Sequence, residues 1–274
     1  MKTLYAADLD GTLLRSDETL SAYTCQTINA LVDRGMLFSY ATARSYITAS
    51  RATKGLTARI PLIVYNGAFV VDNLTGEILR ASRFDGGIRS LLDDLLSCGV
   101  YPIVYAMIGG KETFSYVDRF CTPGMRQFVE SREKDSRKRP LTDAQGLYEG
   151  DAYYVTCIGE EDALRPIYMK YRDVCRCVFY RDMYTKAQWL EMMPRGASKA
   201  NAVRWLQNHL GCERLVVFGD GKNDVDMFEI ADISCAMANA EDELKSMATH
   251  VIGSNDDDGV ARWLCAHAEP CASR

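Results

Sequence analysis

A short apolar run near the start of the chain leads directly into two carboxylates and a glycine. Residues 3–7 are apolar or β-branched, which predicts a buried β-strand that ends at Asp8, Asp10 and Gly11. Residues two apart in an extended backbone point to the same face, so both carboxylates are expected on one side. Gly11 permits a sharp turn because it has no Cβ. Open α/β sheets bind ligands at this end of their strands, so the segment predicts such a sheet.

Asp8 and Asp10 are close enough to repel each other. The repulsion must be offset by a hard cation such as Mg2+ or by a shared proton. The alternative interpretation is an ordinary surface turn, because Asp-Gly is a common turn signal. The rest of the chain favours the first interpretation.

The segments that follow alternate between helix and strand patterns. They predict a helix over residues 21–33, a strand over 36–41, a helix over 45–54 and a strand over 62–65. This β-α-β-α-β order predicts a parallel sheet with helical crossovers. Thr42 and Asn66 follow the second and third strands, so they are expected near Asp8. The Thr42 hydroxyl either donates to a phosphoryl oxygen or caps the helix that begins near Ser45.

The pattern changes in the middle of the chain. After a hairpin predicted over residues 69–79, helices and hairpin-like strands are grouped, which predicts a separate α+β domain. Its mixed-charge run at residues 133–139 is predicted to be a solvated loop. Five tyrosines there either line a pocket or, as is commoner for aromatic residues, fill a core: Tyr101, Tyr116, Tyr153, Tyr180 and Tyr184.

Two further polar clusters occur in the last third of the chain. Lys199 begins a predicted helix, where a cation is unfavourable unless an anion lies opposite. A strongly apolar strand then delivers Asp220, Asn223 and Asp224, whose oxygen atoms suit Mg2+. The ordinary alternatives are a solvated lysine and an acidic turn.

Together, the order and spacing of these clusters resemble the haloacid dehalogenase superfamily of phosphatases. The resemblance is carried by Asp-x-Asp-Gly-Thr-Leu from Asp8, by Thr42, by Lys199 and by Gly-Asp-Gly-x-Asn-Asp around Asp220. Further segments resemble its Cof-type sugar-phosphatase branch, namely Asn66-Gly67-Ala68, residues 236–240, Ser254-Asn255 and residues 258–261.

The resemblance implies an α/β fold with a Rossmann-like parallel-sheet core and an inserted α+β cap domain. Residues 1–82 and 188–274 are expected to form the core, and residues 83–187 the cap that determines substrate specificity. The motifs lie in the two core segments. The middle segment matches the cap of this branch in position and size, and its sequence is much less diagnostic. Such a cap is expected to close over the substrate, exclude water and contact the leaving group.

The same resemblance implies a role for each matched residue. Asp8 is expected to be the nucleophile, and Asp10 the general acid and base. Mg2+ is the implied cofactor, held by Asp8, by the main-chain carbonyl of Asp10 and by Asp220. The phosphoryl group is expected to be bound by Leu9, Thr42, Ala43, Lys199 and Asn223. Supporting roles fall to Arg44, Asn66 and Asp224, with Asp224 beside the water shell of the metal.

Two positions depart from the pattern of the branch. Ala43 and Ala200 stand where glycine is usual. Both residues are small, so we expect a slightly altered backbone and retained function.

Charge and cysteine content narrow the possible partners. The formal net charge of -5 argues against a non-specific nucleic-acid partner. No apolar run is long enough for a membrane span or resembles a signal peptide. The ten cysteines are scattered, and the nearest pair, Cys175 and Cys177, lacks partners for a zinc site. Reduced thiols in a cytoplasmic protein are therefore expected.

The expected function is Mg2+-dependent hydrolysis of small phosphorylated metabolites, such as sugar phosphates, through an aspartyl-phosphate. One alternative is a sugar-phosphate phosphomutase, in which the cap would retain the intermediate. The other is a non-enzymatic phospho-acceptor module, which Asn66 at the third strand and the length of 274 residues disfavour. The sequence predicts neither the substrate nor the oligomeric state.

Overall fold

The computed structural model describes residues 1–57, 59, 61–182 and 186–268. It divides the chain into two compact units, one formed by Met1–Ala81 with Ser198–Arg274 and the other by Ser82–Ala197. Tyr184 and Cys271 lie outside the described residues. Within the described ranges, no helix has the length and apolar character needed to cross a bilayer.

The first unit is an α/β structure built on a parallel sheet. Its elements are β1 (Thr3–Ala7), α1 (Ala22–Asp33), β2 (Leu37–Tyr40), α2 (Tyr46–Ala52), β3 (Leu62–Val64), β4 (Phe69–Val71), β5 (Ile78–Ala81), α6 (Lys199–His209), β12 (Arg214–Gly219), α7 (Val225–Ile230), β13 (Ile233–Met237), α8 (Asp242–Met247), β14 (His250–Ile252) and α9 (Gly259–His267). The sheet has the order β14-β13-β12-β1-β2, and every neighbouring pair is parallel. The predicted parallel-sheet core is therefore confirmed.

Among the described residues, the third predicted strand meets this sheet at one point. A single parallel bridge joins Ala41, directly after β2, to Ile63 of β3. Beyond it, β3 pairs in antiparallel fashion with β4, which pairs with β5, so the predicted hairpin is present. The alternation of strand and helix therefore ends at β3, because the next strand folds straight back.

The apolar run of β1 suits its interior position in the sheet, between β12 and β2. Leu4, Ala6 and Ala7 are fully buried, as expected for a strand covered on both faces. Ala7 is the register partner of Phe218 in β12. Because parallel strands end at the same edge, the residues that follow β1 and β12 come together there.

A turn after β3 packs closely against the start of α6. Gly67 has a φ of +92°, and a Cβ at this position would lie 2.1 Å from the main-chain oxygen of Ser198. Ser198 caps α6, since its Oγ accepts a hydrogen bond from the backbone N–H of Asn201 at 3.0 Å. Glycine is therefore required where the turn meets the helix that carries Lys199.

The second unit is an α+β structure, as predicted. Its elements are α3 (Gly87–Ser97), β6 (Ile103–Ile108), β7 (Lys111–Val117), α4 (Pro123–Glu130), β8 (Lys138–Leu141), β9 (Asp151–Gly159), α5 (Glu161–Tyr171), β10 (Arg176–Arg181) and β11 (Gln188–Met193). Its sheet has the order β10-β11-β9-β6-β7-β8, antiparallel except for β7 with β8. Apolar residues of α3 and α5 pack on one face and form a core with the strands.

The unit boundary differs from the one expected at residue 188. Strand β11 pairs with both β9 and β10, so the division falls after Ala197. The pattern of β11 predicts a strand and carries no information about its partners. Pairing alone assigns these residues to the second unit.

The charged run at residues 133–139 is only partly the predicted solvated loop. Arg137 is buried and donates to Asp135 at 2.6 Å and also to Glu112. Strand β8 begins one residue later and pairs with β7. The prediction is therefore wrong for the end of the run, because strand pairing buries a guanidinium that two carboxylates neutralise.

The predicted tyrosines occupy both kinds of environment. Tyr116 and Tyr153 are fully buried in the second unit. Tyr101 stacks on Phe120, with ring centroids 3.8 Å apart, and Tyr180 is 39% exposed. Core filling therefore accounts for part of this set.

Candidate active site

A buried ammonium group lies between two carboxylates. Lys199 Nζ donates to Asp8 Oδ1 at 2.6 Å and to Asp224 Oδ1 at 2.7 Å. The Lys199 side chain is 0% exposed, and both carboxylates are buried. The three residues follow β1, begin α6 and follow β12, so the edge of the sheet brings distant parts of the sequence together. The anion expected opposite Lys199 is thus a pair of carboxylates.

Asp220 completes the acidic cluster beside this pair. Its Oδ1 accepts a hydrogen bond from Thr12 Oγ1 at 2.7 Å. A Cβ on Gly11, which has a φ of +77°, would lie 2.3 Å from Asp220 Oδ2. The glycine therefore leaves the space that the Asp220 carboxylate occupies. Thr12 belongs to the motif that contains Asp8, and this contact with Asp220 is not evident from the sequence.

The cluster fits a hard divalent cation. Among the described residues, Asp8, Asp220 and Asp224 each offer a carboxylate oxygen within 4.8 Å of the others. Asp224 is already engaged, because Oδ1 binds Lys199 and Oδ2 accepts from the N–H groups of Asp220 and Gly221. Asp8 and Asp220 would therefore hold the ion, and carboxylate oxygens are the donors that Mg2+ prefers.

Burial makes the charge balance of this cluster unusual. It raises the pKa of the Asp8 carboxyl well above its ordinary value, which Lys199 opposes and the neighbouring carboxylates reinforce. Burial also raises the pKa of Asp220 to about 6. For Lys199, burial lowers the pKa, but the Asp224 and Asp8 carboxylates outweigh it and keep the ammonium charged. Three carboxylates share one ammonium, which favours an additional cation.

The carboxylate of Asp10 lies outside the cluster. Arg44 Nε donates to Asp10 Oδ2 at 2.9 Å, and Arg44 Nη2 donates to Glu18 Oε2 at 2.7 Å. The supporting role predicted for Arg44 did not include these contacts. Ligation by the Asp10 main-chain carbonyl and its acid–base role remain predictions.

The predicted residues after β2 and β3 form one connected corner. Thr42 is buried and its Oγ1 accepts from the Arg44 backbone N–H at 3.1 Å. The Asn66 backbone N–H donates to the main-chain carbonyl oxygen of Thr42 at 2.8 Å, and Asn66 has a φ of +50°. Ser45 caps α2, since its Oγ accepts from the Thr48 N–H, so the alternative of Thr42 as the helix cap is wrong.

The remaining predicted phosphoryl-binding residues differ in exposure. Leu9 is fully buried, Ala43 is exposed and Asn223 is partly buried. Within the described part of the chain, Asn223 makes no hydrogen bond to Lys199, although Asn223 follows β12 and Lys199 begins α6. Phosphoryl binding by these residues remains a prediction.

A buried carboxylate beside a buried lysine, at the end of an interior strand of a parallel sheet, is the arrangement of one class of α/β hydrolases. The family model described as haloacid dehalogenase-like hydrolase matches residues 5–264, so the chain belongs to that family. The resemblance drawn from the sequence motifs, including the Cof-type branch, is confirmed, and the prediction of an enzyme is confirmed with it.

Particular relatives span nearly the whole chain. The 5-amino-6-(5-phospho-D-ribitylamino)uracil phosphatase YitU of Bacillus subtilis is 28% identical over 267 residues, which cover 95% of this chain and 96% of that protein. The HMP-PP phosphatase of Serratia proteamaculans is 26% identical over 275 residues, which cover 96% and 94%. The structure of a haloacid dehalogenase-like hydrolase from Bacteroides thetaiotaomicron shares the fold, with a TM-score of 0.78 at 20% identity, and 97% and 99% of the two chains are covered.

Proposed function

We propose that this chain is a Mg2+-dependent phosphatase of small phosphorylated metabolites that acts through an aspartyl-phosphate on Asp8. One observation carries the proposal: the buried Asp8 carboxylate touches the Lys199 ammonium and lies with Asp220 and Asp224 in one acidic cluster. The coarser part, phosphatase chemistry in a haloacid dehalogenase-like hydrolase, is supported by the family and by the names of the relatives.

The proposed reaction has two displacements at phosphorus. A carboxylate oxygen of Asp8 attacks phosphorus while the bond to the substrate oxygen breaks, and Asp10 gives that oxygen a proton. Asp10 then takes a proton from a water molecule, whose oxygen attacks the phosphorus and releases Asp8. Lys199 neutralises charge on the transferring group, and Thr42 donates to a phosphoryl oxygen.

Asp8 and Asp220, with the Asp10 carbonyl, are the proposed ligands of Mg2+. When bound, the ion offsets negative charge on the phosphoryl group, which is where most catalysis of phosphoryl transfer arises. Asp224 orients Lys199 and the turn after β12, since both of its oxygens accept hydrogen bonds there.

The second unit is the proposed cap, which selects the leaving group. The enzyme is proposed to act in the cytoplasm. The two named relatives act on phosphorylated compounds that their names specify, so these compounds belong in a substrate screen beside sugar phosphates. Release of inorganic phosphate without a bisphosphate activator would distinguish a phosphatase from a phosphomutase.

The test is a screen for phosphate release, with Mg2+ and with EDTA, followed by substitution of Asp8. Asp8→Asn should lower turnover at least about 10³-fold, because the amide is a poor nucleophile. Asp173→Asn is the matched control, since Asp173 is 86% exposed and should be replaceable without loss. Retained turnover in Asp8→Asn would exclude the proposed intermediate, and unchanged turnover in EDTA would exclude the metal.

A further inference from the structure

Two thiols of the second unit are in direct contact. The Sγ atoms of Cys175 and Cys177 lie 3.7 Å apart, within the range of a sulfur hydrogen bond. Cys175 follows α5, and Cys177 lies near the start of β10. Within the described residues, no histidine, third cysteine or carboxylate joins them in a metal-binding group. Any chemistry of the Cys175–Cys177 pair is therefore expected to involve the two thiols and no bound metal ion.

A small reactant can reach Cys175. Cys175 lines a cavity of about 300 Å³ within the second unit, together with Tyr171, Val174 and Arg195. Val174 is 63% exposed, so the wall beside the thiol faces solvent. Cys157 differs, because it is fully buried in the core, where burial raises its pKa. The cavity therefore distinguishes Cys175 from Cys157.

The contact also makes the two thiols unequal. A hydrogen bond from the Cys177 S–H stabilises a thiolate on Cys175 and lowers the pKa of Cys175. The same bond, together with burial, raises the pKa of Cys177. The thiolate is the nucleophile in disulfide exchange, so Cys175 is suited to attack and Cys177 to follow.

We propose that Cys175 and Cys177 form a redox-active dithiol, which low-molecular-weight disulfides oxidise to an intramolecular disulfide. The Cys175 thiolate attacks one sulfur of the small disulfide, whose S–S bond breaks and whose other half leaves as a thiolate. That thiolate takes up the proton released when Cys175 ionised.

The second step closes the bond within the protein. Cys177 loses its proton and attacks the Cys175 sulfur, and the second half of the small disulfide leaves and takes up this proton. Two protein thiols are oxidised and one small disulfide is reduced to two thiols. The two Sγ atoms must approach from 3.7 Å to about 2 Å, the length of an S–S bond.

The experiment treats the folded protein with oxidised glutathione, blocks free thiols by alkylation and maps the peptides by mass spectrometry. The peptide that contains Cys175 and Cys177 should lose two hydrogen atoms and resist alkylation. The exposed Cys98 and Cys265, which have no partner thiol in contact within the described residues, should instead carry glutathione. This result needs no variant, so it does not depend on whether a substituted chain folds.

Single substitutions then assign the order of the two steps. In Cys177→Ser, the mixed disulfide should accumulate on Cys175, because no second thiol resolves it. In Cys175→Ser, Cys177 should react at least about 10-fold more slowly, since it lacks a stabilised thiolate. Cys157→Ala should still form the disulfide.

Three outcomes would overturn the proposal. These are a wild-type chain whose pair stays reduced while Cys98 reacts, a disulfide lost in Cys157→Ala, and a Cys177→Ser variant without glutathione on Cys175. None of these measurements uses phosphate release, so they stand apart from the proposed hydrolase activity.

Discussion

Among the described residues, Lys199 is the only cation that forms an ion pair with Asp8 or Asp224. Removing it would leave two buried carboxylates without a counter-charge. We expect Lys199→Met to lower the free energy of unfolding by about 3–5 kcal/mol in EDTA and to abolish phosphate release. Urea unfolding and a phosphate assay measure the two effects.

Lys222 provides the matched control for this prediction. Its side chain is 74% exposed and lies 3.7 Å from Glu241, an arrangement that contributes little to stability. Lys222→Met should change the free energy of unfolding by no more than about 0.5 kcal/mol. Equal losses in the two variants would contradict the importance given to the buried ammonium.

Glu191 in the second unit is expected to make the free energy of unfolding depend on pH. Burial raises the pKa of its carboxyl to about 7, and a hydrogen bond with Tyr154 opposes the shift. The folded protein therefore binds this proton more tightly than the unfolded chain, whose glutamates titrate near about 4.3. The stabilisation is complete below the unfolded value and is lost as pH rises through about 7.

We expect the free energy of unfolding to fall by about 1–3 kcal/mol from this group between about pH 4 and about pH 8. Glu191→Gln should remove that part of the slope, because the amide does not titrate. Urea unfolding of both proteins across the range gives the difference. A difference that stays constant with pH would contradict the assignment to Glu191.

At the scale of the elements, a comparison of two helix caps distinguishes an effect on stability from an effect on catalysis. Ser198 Oγ caps α6 and Ser21 Oγ caps α1, with hydrogen bonds of 3.0 Å and 2.9 Å. Each substitution by alanine should cost about 1 kcal/mol in the free energy of unfolding. Only Ser198→Ala should also lower kcat/KM, by roughly tenfold, because Lys199 is the next residue. Equal activity in the two variants would show that the cap does not position Lys199.

The sequence predicted most elements because their signals are local. The apolar runs of β1 and β12, and the helix that begins at Lys199, each depend on a few neighbouring residues. The membership of β11 and the burial of Arg137 depend on strand pairing, which a single segment does not encode.

The same limit applies to the site. Motif order predicted Asp8, Lys199 and Asp220, and the structure brings all three to one edge of the sheet. The contact of Thr12 with Asp220 joins residues 208 positions apart, and that of Arg44 with Asp10 spans 34. Side-chain partners of this kind depend on the packing of the whole fold, so no local sequence pattern predicts them.

At the scale of the whole molecule, the second unit is one uninterrupted segment with its own core. Its buried cluster includes Leu95, Val155 and Leu190, all within Ser82–Ala197. We therefore expect residues 82–197 to fold alone and to unfold cooperatively in urea, as followed by circular dichroism.

Leu95→Ala provides the check on this fragment, because Leu95 is fully buried. The variant should lose about 2–5 kcal/mol in the free energy of unfolding. A broad transition that Leu95→Ala leaves unchanged would mean that the fragment does not form this core.

The position of β1 between β2 and β12 has a consequence for synthesis on the ribosome. β1 is synthesised long before one of its two neighbours, β12, which begins at Arg214. The nascent chain therefore completes the segment of the second unit before its first strand gains this partner. Asp8 meets Lys199 and Asp220 only after residue 220 has been synthesised, so shorter nascent chains carry the proposed nucleophile without the side chains that surround it in the folded protein.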